Sequence, residues 1–183
     1  PTIGLVSRTH IVPISSTQDT AGPMTLTVAD AAAVLTHIAG TDRADPATKM
    51  AREVQQDYVR ALRLDALKGR RLGVMMDRIG GRADIRALLE AALATLEAEG
   101  AVIVRIDDTR TGLEELGGAE FEVLLTELKA DMATYLASLP GAGLPKTLAE
   151  LIAFNKANPA ELKWFGQETF ELAETKGGLD NDD

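Results

Sequence analysis

Four serines, two histidines and 28 acidic residues are the side chains through which this sequence could do chemistry, and it contains no cysteine. The serines are Ser7, Ser15, Ser16 and Ser138, and the histidines are His10 and His37. Ser7 and His10 are close enough in sequence to form a nucleophile–base pair. A triad also needs an acid brought to the imidazole in space, so both read as polar loop residues. The lack of cysteine excludes a thiol nucleophile, a thiolate metal site and a disulfide. Two histidines would leave most ligands of a zinc or iron site to carboxylates, so no metal and no cofactor are expected. The sequence has no P-loop, no H-E-x-x-H and no G-x-S-x-G. Gly80 and Gly81 follow an apolar run, but their spacing is wrong for a dinucleotide loop.

The remaining carboxylates give no catalytic pair from spacing alone. Glu90, Glu97 and Glu99 flank an apolar stripe and read as solubilising charge rather than a glycosidase pair. Phe154, Trp164 and Phe165 could line a pocket, yet their placement in helical segments makes core the simpler reading. His37 falls near the end of a helix, where its charge would favour the helix dipole.

These groups need elements to position them. With 183 residues, the chain is expected to form a single partial domain, with 1–46 as one segment and 47–183 as a βαβ unit and helical region. Ile3–Val6 and Ile11–Ile14 read as extended pieces or short strands, and Pro13 limits the second to an edge or irregular role. Thr27 with Asp30 caps a helix whose apolar face is Val28, Ala31, Ala32, Leu35, Ile38 and Ala39. Asp45 and Pro46 start a short helix, and 50–68 are weakly helical. A strand at 71–76, a helix over 82–99 and a strand at 101–106 imply parallel pairing with a right-handed crossover. A helix over 119–138 carries Phe121, Leu124, Leu125, Leu128, Met132 and Tyr135 as its stripe. Thr147 and Glu150 cap a helix through Asn155, and Asn158, Pro159 and Glu161 open another to Lys176. The class is α/β, with a mixed sheet covered by helices.

Lysine and arginine number 19 against 28 acids, a net charge of −9. That field repels phosphate backbones, so nucleic acid is not an expected partner. The basic stretch from Arg60 through Arg63, Lys68, Arg70 and Arg71 reads as a solvated helix end among acids. No apolar run approaches the length of a membrane span, and no signal-peptide pattern opens the chain, so no membrane partner and a cytoplasmic location are the expectations.

The N-terminal stretch carries a more specific pattern. It reads Pro1-Thr2, then Gly4-Leu5-Val6-Ser7-Arg8, then Ile11-Val12-Pro13, then Ser15. Gln18-Asp19-Thr20, Ala21-Gly22-Pro23 and the capped helix at Thr27 follow. Asp42, Asp45 and Pro46 come after it. Much later come Leu151-Ile152-Ala153-Phe154-Asn155 and Phe165-Gly166-Gln167-Glu168. This resembles the amidase signature family, in particular its peptide-amidase-like bacterial branch. The resemblance spans nearly the whole chain and is most specific over 1–46 and 147–179. His10 stands where that family usually has glycine, and Leu26 where arginine is usual.

The resemblance implies hydrolysis of carboxylic amide bonds by a serine nucleophile, with a second serine on a cis peptide bond and a lysine. In that family these groups precede the position matching Pro1, and this sequence has no Gly-Gly-Ser-Ser-Gly-Gly-Ser run. The resemblance therefore assigns no catalytic residue to this chain. It makes Ser15, Gln18 and Asp19 candidates for supporting the active-site loop, with a local turn in which Asp19 caps its own loop as the other reading, and Phe154, Asn155 and Gln167 candidates for the substrate cleft. The expected partners are a small amide or peptide-amide substrate and the rest of an amidase chain. With an initial proline in place of methionine, the sequence reads as an internal portion of a hydrolase, expected to be inactive alone. Two other readings are a non-catalytic scaffold module on the same fold and a protein like the A-type component of an amidotransferase; residues 147–168 argue against the latter.

Overall fold

The computed structural model describes residues 2–113 and 116–180. The chain divides into two compact units, Pro1–Gln56 with Glu115–Asp183, and Asp57–Glu114.

The first unit is built on helices. Helix α1 (Val28–Ile38) starts at Thr27, whose hydroxyl oxygen accepts the Asp30 N–H at 3.0 Å and whose O–H donates to the Asp30 carboxylate at 2.7 Å. The N-cap half of the expected capping box is therefore formed, while the Asp30 carboxylate takes the Thr27 hydroxyl rather than its backbone N–H. Asp45 caps a short 3₁₀ turn at Pro46–Met50 by accepting the Ala47 N–H, with proline at the first helical position. Helix α2 is only Ala51–Val54, and the chain then runs through turns to Arg71, so the expected weak helix over 50–68 is confined to its first residues. Few apolar contacts reward helix there, and nucleation is costly for a short segment.

Helix α4 (Leu116–Ser138) carries the core of this unit. Its Leu125, Leu128, Met132 and Leu136 pack with Leu148 and Ile152 of α5 (Leu148–Ala157) and Ala173 of α6 (Glu168–Glu174). Ala173 is fully buried, and its small side chain lets α6 approach α4 closely. Thr147 caps α5 by accepting the Glu150 N–H at 3.1 Å. The Nζ of Lys129 donates to the Glu174 and Lys176 carbonyls, filling acceptors left open at the end of α6.

Three expectations fail in this unit. Ile3–Val6 is not a sheet strand, Val6 making one isolated antiparallel bridge to Ala39, whereas Ile11–Pro13 are irregular, as the proline in that run allows. Asn158 does not open a long helix. Its side chain instead donates to the Phe154 carbonyl, closing α5, and 159–167 form turns before α6. The aromatics Phe154, Trp164 and Phe165 are exposed rather than core. The apolar face of α1 is covered at Ala32 and Ala39, which are buried, and partly at Ala31 and Leu35, while Val28 and Ile38 at its two ends are exposed.

The second unit holds the parallel pair. Strand β1 (Arg71–Met75) pairs in parallel with β2 (Val102–Ile106), Arg71 opposite Val102 and Met75 opposite Ile106. Helix α3 (Ala83–Ala98) connects them and buries Leu93. This is the βαβ unit expected from the strand–helix–strand pattern. Arg105 grips Glu90 of α3 through both guanidinium nitrogens, at 2.9 and 2.6 Å. The basic stretch at 60–71 lies in turns rather than at a helix end, with Arg60 and Arg63 paired to Asp57 and Asp65.

Candidate functional site

The loop at Ile14–Asp19 is densely hydrogen-bonded. Four consecutive backbone N–H groups there are each taken by a carboxylate. Asp19 accepts from Ile14 at 2.8 Å and Ser15 at 3.0 Å, Asp131 from Ser16 at 2.7 Å, and Glu127 from Thr17 at 3.2 Å. The Asp19 part closes the loop on itself, its carboxylate reaching back to N–H groups four and five residues earlier. The rest comes from α4.

Ser15 is fully buried, and its hydroxyl donates to the Glu127 carboxylate at 2.5 Å. The Thr17 hydroxyl lies 2.8 and 3.0 Å from the two oxygens of the same carboxylate. Burial raises the pKa of Glu127, but the hydrogen bonds from Ser15 and Thr17 together outweigh it and hold the carboxyl below its ordinary value. Glu127 is 8% exposed, so it is a buried anion with its charge compensated by donors rather than by a cation.

Arg8 braces the other side. Its guanidinium donates to Asp45 through Nε and Nη2, both at 3.0 Å, and through Nη1 to the Ser16 carbonyl. The Arg8 backbone N–H also donates to Asp45 at 2.9 Å. The Arg8 side chain holds the Asp45 carboxyl down to about 2. A second clasp joins Ser7 and Thr9 to Asp42, at 2.6 and 2.5 Å, and lowers its pKa through those two bonds. The Ser7 hydroxyl is therefore committed to Asp42, and exposed His10 is not its base.

These residues frame an open cleft of about 400 Å³. Arg8, Ser16 and Asp19 line one side, and Asp131, Thr134 and Tyr135 of α4 line the other. His10 sits on its rim with φ of 66°, the only non-glycine residue with positive φ among those described. Glycine adopts that conformation without strain, which fits the glycine usual there. At Gly4, with φ of 78°, an added Cβ would lie 2.3 Å from the Ala47 carbonyl oxygen, so only glycine fits.

The sequence-derived candidates fall into two groups. Ser15, Gln18 and Asp19 share the loop; Ser15 and Asp19 are spent inside it, and Gln18 is half-buried beside them. Asn155 and Gln167 meet in a separate place. Asn155 Nδ2 donates to Gln167 Oε1 at 3.2 Å, and buried Gln167 reaches the Ile152 carbonyl, tying α5 to the start of α6. Phe154 is half-exposed, and neither it, Asn155 nor Gln167 lines the cleft. Sequence reasoning missed Glu127, Asp131, Arg8 and Asp45. The signal for the first two was present: like charges at i and i+4 on a helix repel, so such a pair next to an apolar stripe asks for donors from elsewhere. Among the described residues no cluster of His, Asp and Glu is arranged to hold a metal ion, and no helix is long and apolar enough to cross a membrane.

Comparison with known proteins places this arrangement in a family. A family model described as Amidase matches residues 1–164. The chain is 36% identical over 187 residues to a protein of Arabidopsis thaliana described as a probable amidase, covering 98% of this chain and 35% of that protein. The A-type component of the glutamyl-tRNA(Gln) amidotransferase of Thermosynechococcus vestitus is 45% identical over 112 residues, covering 60% of this chain and 23% of that protein. The native peptide amidase of Stenotrophomonas maltophilia superposes with a TM-score of 0.86 at 42% identity, covering 100% of this chain and 37% of that one. The chain thus spans about a third of the length of the relatives it matches over its whole extent. By its sequence and its α/β fold alike, this chain belongs to the amidase family.

Proposed function

We propose that the chain is a portion of an amidohydrolase that cleaves carboxylic amide C–N bonds, with a small amide or a peptide amide as substrate. In this reading the serine nucleophile, the cis-serine and the lysine lie outside the chain, which supplies structural walls around them. The observation that carries it is the likeness to a peptide amidase over the full chain at 42% identity, with the Ile14–Asp19 loop built as a rigid unit. A loop whose four N–H groups are all captured has little freedom left. That suits a segment held against a reacting centre, where small displacements cost rate.

Ser15 and Asp19 support the loop from within, by the hydroxyl bond to Glu127 and by the closure onto Ile14 and Ser15. Gln18 is the member of the three whose amide remains to face a neighbour or substrate. Asn155 and Gln167 fix one helix junction, and exposed Phe154 is the apolar surface beside it for the substrate cleft. The amidotransferase reading has its own support in the 45% identity to an amidotransferase component, but that match covers 60% of the chain where the peptide amidase match covers all of it.

The test is ammonia release by the longest gene product that includes this chain. Release from a C-terminally amidated peptide, with none from glutamine, is expected. Release from glutamine alone would favour the amidotransferase branch. Release from neither would favour a non-catalytic scaffold.

A further inference from the structure

Glu127 is an expensive residue where it stands. It lies between Leu125 and Leu128 on the buried side of α4, where taking a carboxylate out of water is costly. An apolar side chain of similar size would serve the helical core better. Asp131, one turn on, adds like-charge repulsion along the same face. Both costs are met at one place, where Ser15, Ser16 and Thr17 supply hydrogen bonds to these two carboxylates. Ser16 and Asp131 also line the cleft, so the joint between α4 and the loop forms part of its wall.

We infer that Glu127, assisted by Asp131, is a positioning residue that fixes the Ser15–Thr17 loop against the reacting centre. This rests on the amidase reading above. Glu127 touches no reacting atom. It takes the Ser15 hydroxyl and both Thr17 donors, and so sets where Gln18 and the cleft-facing Ser16 stand. Glutamine keeps one acceptor at this site but turns an N–H₂ toward the same donors, so Glu127→Gln preserves shape while breaking the joint.

The experiment uses the longest gene product that includes this chain, assayed on a peptide amide. Glu127→Gln is expected to lower kcat on the order of 10²-fold, as a displacement near 1 Å does, while KM stays within about twofold. A loss of folding could imitate the kcat effect. A triple variant, Glu127→Leu with Ser15→Ala and Thr17→Val, removes both hydroxyl donors with the acceptor, leaves only the Thr17 N–H, at an exposed residue, and restores an apolar contact. Its melting temperature is expected to match or exceed the wild type while kcat stays low. Recovery of kcat together with stability would overturn the positioning role and leave a purely structural one. Unchanged kcat in Glu127→Gln would overturn it too. A wild type with no amide hydrolysis would overturn the amidase reading, and this role with it. An active wild type indifferent to Glu127→Gln overturns this role alone.

Discussion

Ser15 and Glu127 stand 112 positions apart in the chain, yet the serine hydroxyl donates to the glutamate at 2.5 Å with both residues buried. This one bond joins the N-terminal loop to the helix that carries the core of its unit. Three neighbouring bonds share the task, from the Thr17 N–H and hydroxyl to Glu127 and from the Ser16 N–H to Asp131. The loop's geometry therefore depends on α4 as much as on its own sequence.

The Arg8–Asp45 pair makes stability fall in acid. Asp45 has its carboxyl held at about 2, below the ordinary value of 3.8, by the Arg8 side chain. Its contribution is complete above the ordinary carboxylate value and is lost as pH falls toward about 2. Asp45→Ala is expected to cost about 2–4 kcal/mol, because it strands a half-buried guanidinium and removes the cap of the following turn. Urea denaturation at pH 7 and pH 3 measures both. The wild type should lose stability between those values more steeply than the variant. Parallel curves would refute the pairing.

The rim of the cleft offers a gain. His10 holds φ of 66° without being glycine. His10→Gly is expected to stabilise the chain by about 0.5–1 kcal/mol, the relief of left-handed strain less the entropy glycine adds to the unfolded chain. Gly4→Ala should act in the opposite direction and by more, since its Cβ would strike the Ala47 carbonyl oxygen. Thermal melts of the two variants give the signs directly.

Helix caps supply a third check. Thr27 and Thr147 each accept an N–H of the first turn, at 3.0 and 3.1 Å. Alanine at either should cost about 1 kcal/mol in a denaturant titration. The Thr147 change should be felt more cooperatively, because α5 is packed into the Leu125–Leu148 core whereas Val28, the residue next to Thr27, is 76% exposed.

Much of this was legible in the sequence wherever the cause is local. Thr27 with Asp30, Thr147 with Glu150, and Asp45 with Pro46 are caps readable at three-residue range, and all three form. The β1–α3–β2 unit follows from its alternation of strand and helix signals. The failures share a different cause. Asn158 carried the same start signal as the true caps, but its amide was taken by the preceding helix at the Phe154 carbonyl, a competition that spacing does not decide. Ile3 to Val6 look like a strand, yet the Leu5 N–H turns back to the Thr2 carbonyl and only Val6 bridges to Ala39. Half of the site shared this character. Ser15, Gln18 and Asp19 came from a motif contiguous in sequence, whereas Glu127 and Asp131 became visible only once α4 was seen beside them.

We propose that this chain supplies walls of an amide hydrolase rather than its nucleophile. Ammonia release from a C-terminally amidated peptide, measured side by side for the purified 183-residue chain and the longest gene product containing it, decides the point. Steady release by the longer protein and none above buffer by the chain alone is the expected result. Turnover that co-purifies with the 183-residue chain would place a working nucleophile among these residues and overturn the proposal.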